Sequence, residues 1–314
     1  MNDGVFVGFD TSNYTTSVAL CGADGRILEN IKLPLPVKEG ECGLRQSDAV
    51  FAHVKNLPDA TERLEAALRD KKILAVGCSV RPRDVQGSYM PCFLSGKAAA
   101  KALSVGAHAP LYTFSHQSGH IMAALYSSGA PLLERPFAAY HVSGGTTELV
   151  TAKYKKGGFD VELIGGTRDL NAGQAIDRAG VMMGLSFPCG RELEALAKEN
   201  EKKIPKPHVS VDGTYCNLSG LENHAAKIFK ETEDKRLVAA FVFDFIARTL
   251  LKMTENLYET YGDVPVLFAG GVMSNSIIKE KLSGKFDAYF AAPEFSSDNA
   301  AGVALLTRLE YTGK

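Results

Sequence analysis

The chain lacks an excess of either charge: 35 Lys and Arg stand against 36 Asp and Glu, a formal net charge of −1. No general electrostatic pull toward nucleic acid follows, so a nucleic-acid role needs a local patch or a partner protein. The six cysteines, Cys21, Cys42, Cys78, Cys92, Cys189 and Cys216, include no CxxC pair and are scattered through apolar or loop contexts. That distribution fits reduced thiols in a cytosol. No apolar run approaches ~18 residues, so no membrane span is expected. The opening "MNDGVFVGFDTS" is acidic and runs straight into a strand pattern. No signal peptide is therefore expected, and a cytoplasmic location is.

The 314 residues, 45% apolar and 23% charged, suit a globular protein of two domains or one large one. "GVFVGFD", "YTTSVALC" and, after a DG turn, "ADGRILENIKL" predict a three-stranded antiparallel meander. Residues 48–70 read as helical, broken near Pro58. A buried strand follows at 72–80, then a helix over 93–106 ending at Gly106 and a short strand in "APLYTF". The opening pattern then recurs. Residues 137–154 again read strand, small-residue turn, strand, and "GGFDVELIGG" continues them. Helices are expected at 172–184 and 191–199, a Lys/Pro/Gly-rich loop over 200–220, and a long helix at about 233–261 stopped by Gly262. "VPVLFAGGV" and "FDAYFAA" read as strands, and 298–309 as a closing helix.

One unit, a meander followed by α/β elements, thus appears twice. Its turns, "DTSNYTT" (10–16) and "SGGTTE" (143–148), consist of small and hydroxylated residues. Such turns present backbone N–H groups and can cradle phosphate. Two copies plus a later strand–GG turn at Gly270 and Gly271 is the layout of the actin/Hsp70/sugar-kinase (ASKHA) fold, a two-lobed α/β architecture of duplicated RNase H-like units about a central cleft. The expected division is 1–112, completed by the terminal helix 299–314, against 113–298.

Within "FSHQSGH" two histidines, His116 and His120, sit four apart at the start of a helical segment. That spacing puts both on one face, where two imidazoles can grip one metal ion. A zinc-protease HExxH motif is excluded, because Gln117 follows the first histidine and no glutamate base is present.

Taken together, "DTS" (10–12), "HQSGH" (116–120), "VSGG" (142–145), "AGQAIDRAGVMMGLSFPCG" (172–190), "NLSGL" (217–221), "AGGVMSN" (269–275) and "EFSSDNA" (294–300) make the chain resemble the TsaD family. These are the threonylcarbamoyl transferases that modify adenosine 37 of tRNA, and the similarity runs over residues 4–309. The resemblance implies one divalent metal per chain, Fe2+ or Zn2+, held by His116, His120 and Asp298. It implies threonylcarbamoyl-AMP or ATP as nucleotide, with Ser143, Gly144 and Gly145 at the phosphate and Asp177, Gly190 and Asn275 at the nucleoside. Asp10, Thr11, Ser12, Thr146, Thr147, Gly270 and Gly271 stand in the same motifs. As partners it implies tRNA, a paired ASKHA subunit and a small ATPase, with no membrane.

The chain also departs from the family pattern. Thr146 replaces a histidine, Ser118 and Gln174 each replace a glutamate, and Asn13–Thr15 lose two acids. "RPRDVQGSYMP" (81–91) stands in place of a Gly-rich wall. Its Arg81 and Arg83 could meet an anionic group of the donor or acceptor, or pair with Asp84 or solvent. The expected activity is metal-dependent transfer of a threonylcarbamoyl or related carbamoyl group from an acyl-adenylate to an amine. The alternatives are an ASKHA kinase or ATPase with Asp10 as base, a carbamoyltransferase on another acceptor, and a non-catalytic partner subunit.

Overall fold

The computed structural model describes residues 4–12, 14–36 and 44–313; Cys42 and Asn13 lie outside them. In chain order the elements are β1 (Gly4–Asp10), β2 (Thr15–Gly22), β3 (Ile27–Pro34), α1 (Gln46–Leu68), β4 (Lys72–Arg81), α2 (Phe93–Gly106), β5 (Leu111–Ser115) and α3 (His116–Ser128). There follow β6 (Phe137–Val142), β7 (Thr147–Lys155), β8 (Gly158–Thr167), α4 (Ala172–Met182), α5 (Gly190–Lys198), β9 (Ser210–Asp212), β10 (Tyr215–Asn217), α6 (Gly220–Thr232) and α7 (Lys235–Tyr261). The chain closes with β11 (Val266–Ala269), α8 (Ser276–Leu282), β12 (Ala288–Phe290) and α9 (Ala301–Thr312). Two compact units result: 1–127 with 153–160 and 294–314, and 128–152 with 161–293.

The first unit holds a sheet of order β3-β2-β1-β4-β5. β1, β2 and β3 form the expected antiparallel meander, and β4 and β5 add in parallel. Alternation divides its side chains between two faces. Val5, Val7, Phe9, Val18, Leu20, Val76 and Cys78 pack with Leu57, Ala60 and Leu64 of α1 and Ala100 of α2. The opposite face meets α9, and glycines make the close approach possible. A Cβ on Gly8 would lie 2.5 Å from the Ala304 nitrogen, and one on Gly77 would overlap the Thr307 hydroxyl.

The second unit holds a sheet of order β12-β11-β6-β7-β8-β10-β9. Five successive strands from one edge, β8-β7-β6-β11-β12, repeat the order of β3-β2-β1-β4-β5, and the pairings from β7 to β12 repeat its directions, which is the duplication expected from the sequence. Tyr140, Phe268 and Phe290 are cross-strand neighbours on β6, β11 and β12, and their rings stack at 5.0 and 5.1 Å. The 27-residue α7 fills the core, burying Val238, Phe241, Val242, Phe245, Ile246, Leu250, Met253 and Leu257.

Three expectations are corrected. Helix α1 runs unbroken through Pro58. Its buried stripe, Ala49, His53, Leu57, Ala60 and Leu64, keeps helical spacing across the proline, which sits on the exposed side. The stretch 200–220 is not all loop, because it contains the hairpin β9–β10, which extends the second sheet beside β8. A helix, α6, also occupies Gly220–Thr232 ahead of α7.

Helices α3 and α9 meet at Gly119 and Gly302, where a Cβ on Gly302 would overlap the Gly119 carbonyl oxygen. Gly302→Ala is therefore expected to cost about 3 kcal/mol, because the obstacle is backbone and cannot rotate away. Urea unfolding measures this. A loss below about 0.5 kcal/mol, the scatter of neutral surface changes, would contradict the close approach.

Candidate metal centre and ligand turns

Each histidine is placed by the start of α3. Ser115 ends β5 and accepts the Ser118 N–H on its hydroxyl at 3.1 Å, an N-cap. His116 is the first helical residue and His120 lies one turn on, with ring centroids 4.3 Å apart. Asp298 precedes α9 and does not cap it; Asn299 accepts the Ala301 N–H instead. The Asp298 Oδ1 lies 3.2 Å from His120 Nε2 and 3.6 Å from His116 Nε2. One donor atom from each of the three residues falls within 4.8 Å of the others.

Asp10 completes the group. It is 1% exposed, its Oδ1 accepts the Ser12 N–H at 2.8 Å, and its Oδ2 lies 2.8 Å from His116 Nδ1. A carboxylate on one imidazole nitrogen fixes the tautomer and frees the other nitrogen as a ligand. Burial opposes a charge on His116, but Asp10 and Asp298 outweigh it and lift its pKa to about 10. Burial likewise opposes charge on Asp298, yet the two histidines hold it well below the usual carboxylate range. Two imidazoles and one carboxylate, with a second carboxylate behind one imidazole, fit a divalent transition metal with open positions.

The neighbouring candidates have other duties. The Thr11 hydroxyl donates to the Cys92 carbonyl at 2.9 Å and accepts the Gly96 N–H at 3.0 Å, tying β1 to α2. The Ser12 hydroxyl is buried with no hydrogen-bond partner among the described residues. Arg81 donates through Nε to Asp84 at 2.9 Å, so its charge is met inside the 81–91 loop. Arg83 is exposed, and its N–H reaches the Ser88 hydroxyl at 3.0 Å.

The second unit carries the other set. The turn after β6 closes with Ser143 N–H on the Thr146 carbonyl at 2.7 Å, leaving Gly144 and Gly145 exposed with open space where a side chain would stand. It rests on the start of α4. Gly173 N–H bonds the Ser143 carbonyl at 3.1 Å, and a Cβ on Gly173 would lie 2.6 Å from Gly144 Cα. Thr147 is buried and takes the Ala172 N–H at 2.9 Å, so it serves that helix start. Gln174 accepts the Asn171 N–H at 3.3 Å, a capping role that glutamate or glutamine can fill.

Asp177, Gly190 and Asn275 are brought together by two links. Asp177 Oδ1 accepts the N–H of Cys189, the residue before Gly190, at 2.8 Å. Glu194, one turn along α5, accepts the N–H and hydroxyl of Ser276, next to Asn275, at 3.1 and 2.6 Å. The Asn275 Oδ1 caps α8 through Ile278 N–H at 3.0 Å. Gly270, at φ +103°, lies against the Val142 carbonyl, which explains its glycine by close approach. Gly271 opens a short 3-10 turn. The Asp10 contact and the Glu194 link went unforeseen, since each joins residues far apart in sequence with no motif between them.

Comparison with known proteins agrees with these motifs. Residues 37–305 match TsaD, described as tRNA N6-adenosine threonylcarbamoyltransferase. The chain is 30% identical over 329 residues to the tRNA N6-adenosine threonylcarbamoyltransferase of Streptococcus pneumoniae (strain ATCC 700669 / Spain 23F-1), covering 99% of this chain and 94% of that protein. Among solved structures, full-length HypF in a phosphate- and nucleotide-bound form superposes with TM-score 0.60 at 13% identity, over 98% of this chain and 47% of HypF. A ROK family glucokinase from Streptomyces griseus, in complex with glucose and AMPPNP, superposes with TM-score 0.52 at 14% identity, over 97% and 99%. These structural likenesses show the fold alone, and it is the ASKHA fold.

Proposed function

The chain belongs to the TsaD family of tRNA N6-adenosine threonylcarbamoyltransferases, and we propose that it moves threonylcarbamoyl from threonylcarbamoyl-AMP to N6 of adenosine 37, with a metal at His116, His120 and Asp298. By its family it is an acyltransferase that acts on tRNA adenosine. The observation that carries the finer reading is the His116–His120–Asp298 cluster with Asp10 behind it. A kinase reading needs Asp10 as a base near a substrate hydroxyl. Its two oxygens instead meet Ser12 N–H and His116 within a fully buried setting.

In the reaction the N6 nitrogen attacks the carbamoyl carbon, the bond from that carbon to the phosphate oxygen breaks, N6 loses a proton, and AMP leaves. The exposed glycine turn at Gly144 and Gly145 suits the phosphate. Asp177 and Asn275 suit the nucleoside, as a carboxylate can accept from a vicinal diol. His116, His120 and Asp298 would hold the metal, with Asp10 fixing the His116 ring. When bound, the metal supplies Lewis-acid polarisation of a carbonyl oxygen. Iron and zinc both accept this donor set. A paired ASKHA subunit and a small ATPase belong to the proposal as helpers. Among the described residues no helix is long and apolar enough to cross a membrane.

The test is expression in cells lacking their own transferase, followed by mass spectrometry of nucleosides from their tRNA. Threonylcarbamoyladenosine is expected to reappear. Its absence, with the protein present, folded and supplied with helpers from a related organism, would move the acceptor or the acyl group elsewhere.

A further inference from the structure

The loop after β4 contains a carboxylate whose partners among the described residues all lie at the start of the histidine-bearing helix or on the strand leading into the loop. Asp84 Oδ1 takes Arg81 Nε at 2.9 Å. Asp84 Oδ2 takes the Ser115 hydroxyl at 2.6 Å and the Ser118 hydroxyl at 3.0 Å. Both serines are fully buried. The two hydroxyls also lie 3.0 Å from each other, and each accepts one backbone N–H. Ser115 takes Ser118 N–H at 3.1 Å, and Ser118 takes Phe159 N–H at 3.2 Å. The same loop satisfies the next free donor of α3, since Gln117 N–H bonds the Pro82 carbonyl at 3.0 Å. A helix start leaves such donors open and favours a nearby anion.

The geometry sorts Asp84 from the ligands. Residues 116 and 120 share one face of α3, whereas 118 is turned by about 200° from 116. Asp84 therefore grips the helix through Ser115 and Ser118, on the side turned away from the two histidine positions. What it can set is where α3 begins and how it is rotated. That sets whether two imidazoles one turn apart converge with Asp298 on one ion, their donor atoms now lying within 4.8 Å of one another.

We propose that Asp84 is a positioning residue for the metal centre, acting through Ser115 and Ser118 to fix the start and rotation of α3. The inference rests on the metal reading of His116, His120 and Asp298. It also assigns a duty to the 81–91 loop, which replaces a glycine-rich stretch in this chain.

The experiment titrates Co2+ into metal-free full-length protein and follows the visible absorption of the bound ion. Thermal unfolding and ATP affinity are measured on the same samples. Asp84→Ala is expected to raise the Co2+ dissociation constant on the order of tenfold, the lower end for groups behind metal ligands. Ser118→Ala is expected to move it the same way, and serves if Asp84→Ala fails to fold. Arg81→Leu, which removes only the partner on Oδ1, is expected to stay within about twofold of the wild type. ATP affinity, set by Asp177 and its neighbours, is expected to stay constant throughout, as a general loosening would not allow. Equal Co2+ affinity in wild type, Asp84→Ala and Ser118→Ala overturns the proposal. So does an equal loss in Arg81→Leu, which would assign the effect to the loop's ion pair. Wild-type protein that binds no Co2+ overturns the metal reading itself, and the positioning role with it.

Discussion

His120→Ala is expected to empty the metal centre. Wild-type protein should carry about one transition-metal ion per chain, since two imidazoles and a carboxylate converge with open positions. Removing His120 leaves His116 and Asp298, a pair that cannot close the coordination alone. Elemental analysis of both proteins, purified side by side, reads the outcome. Transfer to tRNA should fall in step. A metal polarising a carbonyl contributes several kcal/mol to the transition state, which corresponds to about a thousandfold in rate. The fold should survive, because the His120 side chain lies on the partly exposed face and α3 is anchored by Ser115 and Ser118 on the other. Equally little metal in both proteins, or equal metal in both, would sink the ligand assignment, and rates that stay equal while metal is lost would detach the metal from catalysis.

Much of this molecule is written in local pattern. The strands of the two meanders are short, mostly apolar runs set off by turns, and Gly106 and Gly262 mark helix ends close to where the chain stops them. The histidine pair is legible for the same reason, since its spacing is a property of one helix. Asp298 became a candidate through family motif alone, and the first N–H of α9, that of Ala301, is met by its neighbour Asn299. What pattern cannot carry is contact at long range. Asp10 and His116 are 106 residues apart, and no periodicity joins them. The hairpin β9–β10 was hidden because its strands are three residues each, too short to show alternation. Helix α6 was hidden by its polar sequence, which buries only Leu221 and Ala225. At Pro58 a local rule pointed the wrong way. The apolar stripe of α1 outweighs one missing N–H on its exposed side.

The departures from the family pattern also take on physical meaning. Gln174 still caps α4, so that change leaves the helix start intact. Ser118, in place of a longer acid, admits Asp84 from the neighbouring loop and accepts Phe159 N–H from the β7–β8 hairpin. Gly158 in that hairpin has φ +135°, and a Cβ there would lie 2.6 Å from the Ser118 hydroxyl. Serine, aspartate and glycine thus form one fitted set, and a glutamate restored at 118 alone would collide with it.

Asp177 separates the two functions that a carboxylate can have beside a nucleotide. One oxygen is occupied by Cys189 N–H at 2.8 Å, which braces the turn leading into Gly190 and α5. The other is the one that, on the proposed reading, accepts from a ribose. Asp177→Ala removes both. It should cost about 1 kcal/mol of stability for the lost backbone bond. ATP affinity should fall further, by about 1.5–3 kcal/mol for a hydrogen bond to a charged group, or roughly ten- to a hundredfold. Asp177→Asn retains an oxygen for Cys189 but replaces the second, charged acceptor with an amide donor. It should therefore unfold at the wild-type urea midpoint and yet lose most of the same affinity. Calorimetry with ATP on the three proteins decides the matter. If Asp177→Asn binds as the wild type does, the carboxylate only braces the turn, and the nucleoside must be held by Asn275 and the backbone at Gly190.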